Sequence, residues 1–174
     1  LTGADNAYTR GYYVTDQAEW DDAVWDKAHC YCIVVGPENL NGSAIEAGVY
    51  EEKDIELSCN LIVEGFLQIP AGYSLTLNRR YDFDRNPYDV GNRISGKIEN
   101  QGTLNLNVWV DVCGSLDNHG TINMAEYDGD DQGQNWTTDG HIYLYTERGE
   151  AEDGSEDQSG CLYNDHEGSI NNFN

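Results

Sequence analysis

The sequence predicts an all-β chain, a parallel β-solenoid with one helix at its N-terminal end, and three observations carry that reading. Residues 98–105 read Ile-Glu-Asn-Gln-Gly-Thr-Leu-Asn and residues 116–123 read Leu-Asp-Asn-His-Gly-Thr-Ile-Asn, and pieces of the phrase return as Leu162-Tyr163-Asn164 and Gly168-Ser169-Ile170-Asn171. The first two copies stand 18 residues apart, and a fixed short period with a turn Gly and an Asn in each copy is how stacked coils are written in sequence. Around these copies lie short apolar strands broken by turn residues, too short for a sandwich and without helices between them. A single helical pattern precedes them all.

That pattern covers residues 15–28. Thr15 is placed to cap, Asp16 and Glu19 fall in the first turn, and Trp20, Val24, Trp25 and Ala28 recur at helical spacing. A helix over the first coil would protect an open solenoid end, where unpaired strand edges are otherwise exposed. The run Cys32-Ile33-Val34-Val35, ended by Gly36-Pro37, suits a buried strand. Residues 55–57, 61–63, 66–69 and 73–77 follow as short strands, completing the first coils over 32–77. A polar insertion at 79–93 precedes the regular coils of 94–124, of about 18 residues each. The 46 residues from Leu116 to Leu162 are read as two irregular coils, so that 125–174 carries acidic loops at 128–139 and 147–160. One domain, residues 1–174, accommodates the whole chain.

The order of capping helix, buried strand, Phe66-Leu67-Gln68-Ile69-Pro70-Ala71-Gly72-Tyr73-Ser74-Leu75-Thr76-Leu77, then repeated Asn-x-Gly-Thr-Leu/Ile-Asn resembles a parallel β-helix. It is similar to the modules of large bacterial secreted and cell-surface proteins, related in architecture to pectate-lyase-like folds and filamentous adhesins. The match covers residues 55–124 best. The resemblance implies a right-handed helix with an extracellular or cell-surface address, while the 18-residue spacing suits either hand.

Acidic side chains number 32 against 9 basic ones, a formal charge of −23. A field of that sign disfavours nucleic acid and anionic membrane as partners. It fits solubility of a secreted protein, calcium binding, or halophilic adaptation, the last also in keeping with a lysine complement of Lys27, Lys53 and Lys97. No stretch approaches the ~18 apolar residues of a membrane span, so no membrane insertion is expected. Without an initiator Met or a signal pattern the chain reads as a mature secreted protein or an excised module. Five cysteines leave one over if the rest pair. Cys30 and Cys32 would point to one face and bridge each other poorly, and the cysteines read either as buried apolar fillers or as including one disulfide between neighbouring coils, with Cys59 a candidate.

In residues 104–112 alternation sends Leu104, Leu106, Val108, Val110 and Val112 inward and Asn105, Asn107, Trp109 and Asp111 outward. One regular coil beyond Trp109 is Tyr127, and a further strand, residues 141–145, turns Tyr143 and Tyr145 outward. An outward aromatic strip flanked by Asn and Asp suits a sugar, whose apolar face stacks on rings while its hydroxyls need amides and carboxylates. Trp109, Tyr127, Tyr143 and Tyr145 are therefore the candidate ligand-binding residues, for a surface glycan or another protein; burial of the rings under loops is the structural alternative. Asn100, Asn118 and Asn164 occupy matching turn positions, where an Asn ladder is expected; His119 and His166 read as turn residues beside them.

The loop 128–139 places Asp128, Asp130 and Asp131 near its start, Gly133 at its sixth position and Asp139 at its twelfth. This resembles a calcium loop, although Gln132 stands at the fifth position and the flanks read as strands rather than helices. Ca2+ is the one candidate cofactor; Asp82, Asp84 and Asp89 form a weaker second cluster. Arg79 and Arg80 lie beside Asp82 and Asp84, but a β-helix lyase or hydrolase needs its groups gathered on one sheet face, and nothing in the sequence gathers them. The expectation is a non-catalytic structural or adhesive module. The rivals are a filament subunit, built by end-to-end stacking of copies, and a glycan-binding or carbohydrate-active protein.

Overall fold

The computed structural model of the protein describes residues 11–26, 32–41, 45–46, 53–57, 59–78, 92–124, 142–144, 146–147 and 158–172. The chain runs through β1 (Gly11–Val14), helix α1 (Gln17–Trp25), β2 (Cys32–Val35), a 3-10 turn (Pro37–Asn41), β3 (Ile45–Glu46) and β4 (Asp54–Leu57). It continues with β5 (Asn60–Val63), β6 (Phe66–Ile69) and β7 (Ser74–Leu77), then β8 (Asn92–Ile94), β9 (Lys97–Asn100) and β10 (Thr103–Leu106). Next come β11 (Val110–Val112), β12 (Ser115–Asn118) and β13 (Thr121–Met124), and then β14 (Ile142–Leu144), β15 (Thr146–Glu147), β16 (Gln158–Ser159), β17 (Cys161–Asn164) and β18 (Ser169–Asn172).

Apart from the small antiparallel pair β15–β16, these strands build three parallel sheets. Sheet A has the order β1-β2-β5-β8-β11-β14, sheet B β17-β12-β9-β6-β3 and sheet C β18-β13-β10-β7-β4. Each triplet from β5 onward visits A, B and C in turn, so the fold is all-β and solenoid-like. Within each sheet, inward residues stack in columns. One is Val35, Val63, Ile94 and Val112; another is Leu67, Ile98 and Leu116; a third is Leu75, Leu104 and Ile122. All are at most 2 % exposed. Parallel pairing keeps like residues above one another, and the alternation of the strands sends every second side chain into this core.

The 18-residue step is the register between β8 and β11, between β9 and β12 and between β10 and β13, where Asn92 pairs with Val110, Ile98 with Leu116 and Thr103 with Thr121. Other steps are longer because chain is inserted at the corners. Leu116 pairs directly with Leu162, so that interval is a single step of sheet B and not the two irregular coils expected. The insertion expected at 79–93 ends earlier, because Arg93 already sits in β8 beside Asp111. The expected continuous strand at 104–112 is two strands, with a corner at residues 107–109 that carries the inward–outward alternation around the bend. The run Cys32–Val35 alternates rather than being buried throughout, with Ile33 and Val35 inside.

Helix α1 is shorter than the sequence pattern. Asp16, not Thr15, is its N-cap, with its Oδ1 accepting from the Glu19 N–H at 3.0 Å; Glu19 in turn accepts from the Thr15 N–H and hydroxyl at 2.8 and 3.0 Å. Trp20, Ala23 and Val24 are buried while Trp25 is 76 % exposed. Trp25 adjoins Val24 but stands 100° further round the helix, off the face that packs, and Ala23 takes the place expected for it. The helix contacts β1 and β3, the edge strands of sheets A and B at that end. At the other end Leu144 and Ile170 continue the inward columns yet are 55 % and 38 % exposed.

Corners between sheets A and B are closed by Gly65, Gly96 and Gly114, stacked so tightly that a Cβ on Gly114 would stand 2.0 Å from the Gly96 carbonyl oxygen. Only glycine fits where successive backbones approach in this way. Cys59 and Cys113 are buried, as expected of apolar fillers, and the thiols of Cys113 and Cys161 are not bridged.

Candidate ligand-binding face

Each sheet turns a different chemistry outward. On sheet C the outward residues of β7, β10, β13 and β18 are Ser74 and Thr76, Thr103 and Asn105, Thr121 and Asn123, Ser169 and Asn171. They carry no charge, unlike the outward Asp54 and Glu56 of the edge strand β4, and bond to one another: Asn105 Nδ2 to Thr76 Oγ1 at 3.0 Å, Asn123 Nδ2 to Asn105 Oδ1 at 2.9 Å, Asn171 Nδ2 to Asn123 Oδ1 at 2.9 Å. Sheet B presents charges. Lys97 Nζ is 2.7 Å from Asp117 Oδ2 and 3.9 Å from Glu99, and lies over the Phe66 ring at 5.8 Å.

Sheet A holds the predicted ligand-binding strip. Trp109 ends the corner before β11 and is 37 % exposed, as the alternation requires. Its carbonyl accepts from Asn92 Nδ2 at 3.4 Å, and Asn92, 3 % exposed in an inward position, accepts from the Leu61 N–H at 2.9 Å through Oδ1. A buried amide thus bridges three successive strands' worth of backbone and fixes the approach to the Trp109 corner. Two residues on, Asp111 lies in register between Arg93 of β8 and Tyr143 of β14. Burial pushes the Asp111 carboxyl above the ordinary carboxylate range, and Arg93 opposes that rise. Arg93 Nε donates to Cys113 Sγ at 3.3 Å, which holds the guanidinium along the sheet.

The register alters the predicted aromatic strip. The step from β11 to β14 pairs Val110 with Ile142, 32 residues on rather than the 18 from which the strip was read. Tyr143 is brought beside Asp111 through its backbone. Tyr127 and Tyr145 lie outside the described residues, as do the calcium-loop candidates Asp128, Asp130, Asp131 and Asp139, the second acidic cluster Asp82, Asp84 and Asp89, and Arg79 and Arg80.

The Asn ladder forms as expected. Asn100 Nδ2 donates to Asn118 Oδ1 at 2.7 Å and Asn118 Nδ2 to Asn164 Oδ1 at 2.6 Å, with Asn100 and Asn118 fully buried. Its first member follows Ile69 in the column, so the Asn100 Oδ1 has no donor among the described residues. Sequence reasoning missed the pairing of His119 with Asp165. Both directly follow a ladder Asn, and aligning Asn118 with Asn164 would have set them side by side.

No protein-family model, curated protein or solved structure matches this chain.

Proposed function

We propose that this chain is a non-catalytic parallel β-helix module of an extracellular or cell-surface protein, with a structural and adhesive role. In this reading its regular coil is 18 residues long, α1 caps its N-terminal end, and the outer surfaces of the sheets display ligand-binding chemistry. The observation that supports the reading is the difference between outward faces: from β7 to β18 sheet C ties its uncharged side chains to one another, whereas sheet A exposes Trp109 two residues before Asp111, which lies in register beside Arg93. A ring with polar groups beside it suits a saccharide or a protein surface. The strong net acidity argues for neutral or cationic partners. Calcium held by Asp128, Asp130, Asp131 and Asp139 belongs to the same proposal.

The test is binding to immobilised neutral glycans and to candidate partner proteins, with and without calcium, paired with an assay for new sugar ends. Binding that falls at least about tenfold in Trp109→Ala, with no product released, is the expected outcome; tenfold corresponds to about 1.4 kcal/mol. Release of cleaved or unsaturated saccharides would replace this reading by an enzymatic one. Binding undiminished in Trp109→Ala would move the ligand away from sheet A.

Association of copies is a second reading, favoured by the exposure of Leu144, Tyr163 and Ile170 at one end of the stack. Because α1 contacts β1 and β3 at the other end, such association is expected through one end only, giving pairs rather than long filaments. Negative-stain electron microscopy at several concentrations distinguishes isolated rods, pairs and filaments.

A further inference from the structure

The corner between β17 and β18 is fastened to the preceding corner by backbone bonds from Asp165 and Ser169, by the Asn118 amide, and by one pair of ionisable side chains. His119 Nδ1 lies 2.5 Å from Asp165 Oδ2. The other carboxylate oxygen, Asp165 Oδ1, accepts from the N–H groups of Glu167 and Gly168, both at 2.8 Å. One carboxylate therefore shapes its own turn and grips the turn before it. The Tyr163 ring meets His119 edge-on, with centroids 6.3 Å apart and planes at 60°. Apolar burial holds this last pass weakly: Leu162 is half-buried and Ile170 38 % exposed, whereas Leu116 and Ile122 beneath them are fully buried. Polar contacts carry a correspondingly larger share of its attachment.

We propose that His119 and Asp165 form a pH-sensitive clasp that holds the last pass of the stack on the preceding one, fastened in mildly acidic medium and loosened as the medium turns alkaline. The surroundings of His119 favour its cationic form. Asp165 accepts its hydrogen bond; from β12 Asp117 and from β9 Glu99 add negative charge; Lys97 offsets part of this by pairing with Asp117; Tyr163 faces it from β17; and His166 and Glu167 stand in the same corner, exposed and 3.8 Å from each other. The hydrogen bond to Asp165 raises the proton affinity of His119, with partial burial working against it, while the bond from His119 lowers that of Asp165.

The sign follows from linkage. A histidine whose folded-state pKa is raised contributes stability that is complete below its unfolded value, about 6.5, and is lost as pH rises through the folded one. An aspartate with a lowered pKa contributes stability that is complete above about 4 and is lost as pH falls through its folded value. The clasp is thus fully fastened from about pH 4 to pH 6.5. Above that window a neutral imidazole still donates a hydrogen bond, so the last pass loosens without being released outright.

Amide exchange read by NMR tests this on the intact chain. The Ser169 N–H bonds to the Gly120 carbonyl at 2.8 Å in the last pass, and the Thr121 N–H bonds to the Gly102 carbonyl at 2.8 Å one pass earlier, giving an internal reference. The ratio of their opening constants is expected to stay level up to about pH 6.5 and then rise as His119 loses its proton. By linkage, the fold-change equals the ratio of the proton affinities of His119 in the fastened and released states. Asp165→Asn retains an oxygen for the Glu167 and Gly168 donors; it is expected to flatten the profile and to shift the His119 ring titration to lower pH. His166→Gln is expected to leave the profile as it is. A level ratio in the unaltered chain, an unmoved His119 titration in Asp165→Asn, or a profile lost in His166→Gln would each overturn the proposal.

Discussion

Replacing Asn118 by Ala tests the ladder at its centre, where the polar core should be most expensive to break. The Asn118 side chain makes four contacts: it accepts from Asn100 Nδ2 at 2.7 Å and donates to Asn164 Oδ1 at 2.6 Å, the Ser169 carbonyl at 3.1 Å and the Gly120 carbonyl at 3.3 Å. On truncation Asn100 keeps its bond to the Thr121 carbonyl at 3.0 Å but is left with a stranded amide hydrogen in a fully buried site, at about 1–3 kcal/mol. Asn164 and Ser169 are exposed and turn to water, so each loses only the net value of a hydrogen bond, about 0.5–1 kcal/mol. Adding the space left by the amide, the loss is about 3–4 kcal/mol. With an m-value of about 2 kcal/mol/M, the urea midpoint followed by tryptophan fluorescence falls by about 1.5–2 M. The exposed Asn171, with a single bond to Asn123 at 2.9 Å, is the control, and its Ala variant should lose less than about 1 kcal/mol. Equal midpoint shifts for the two variants would refute the claim that the inner ladder holds the stack together.

Gly114→Ala forces a Cβ against the Gly96 carbonyl and should cost about 2–4 kcal/mol in the same urea assay; a near-neutral variant would show that this corner has room to shift. Because burial raises the Asp111 pKa, folding loses support from that side chain as pH climbs past about 4. Asp111→Asn should therefore match the unaltered chain at about pH 3 and melt higher at pH 7; a lower melting point at pH 7 would mean that Arg93's attraction exceeds the burial penalty. Lys97→Met removes a half-exposed ion pair with Asp117 and should change stability by less than about 1 kcal/mol, with the difference vanishing in high salt. A large, salt-independent loss would place Lys97's contribution in its packing over Phe66.

The division between faces explains why the site was harder to read than the core. An inward column needs only a period of two and a turn signal, and Leu67-Gln68-Ile69, Leu104-Asn105-Leu106 and Leu116-Asp117-Asn118 state both in the chain itself. The outward face of sheet A is assembled by register, and register across a corner insertion has no local signature. Arg93 read as loop because polar residues precede it without a break, yet Ile94 after it is an inward residue, 2 % exposed. Trp109 was legible because it belongs to an uninterrupted alternation. Its expected partner was read from an 18-residue step, which holds between β10 and β13 but not between β11 and β14.

Local chemistry alone therefore determined the solenoid-like, all-β parallel architecture, the helix at the N-terminal side, the inward and outward sets of most strands, and the Asn ladder, since each depends on neighbours within a few residues or on a repeat that marks itself. Tertiary structure decided how many passes the stack makes after Leu116, which residues meet across insertions, and that His119 closes on Asp165. A corner loop of any length returns to the same ladder, so the spacing of residues along the chain does not report their spacing in the sheet; hydrogen-bond register and the fit of apolar columns do.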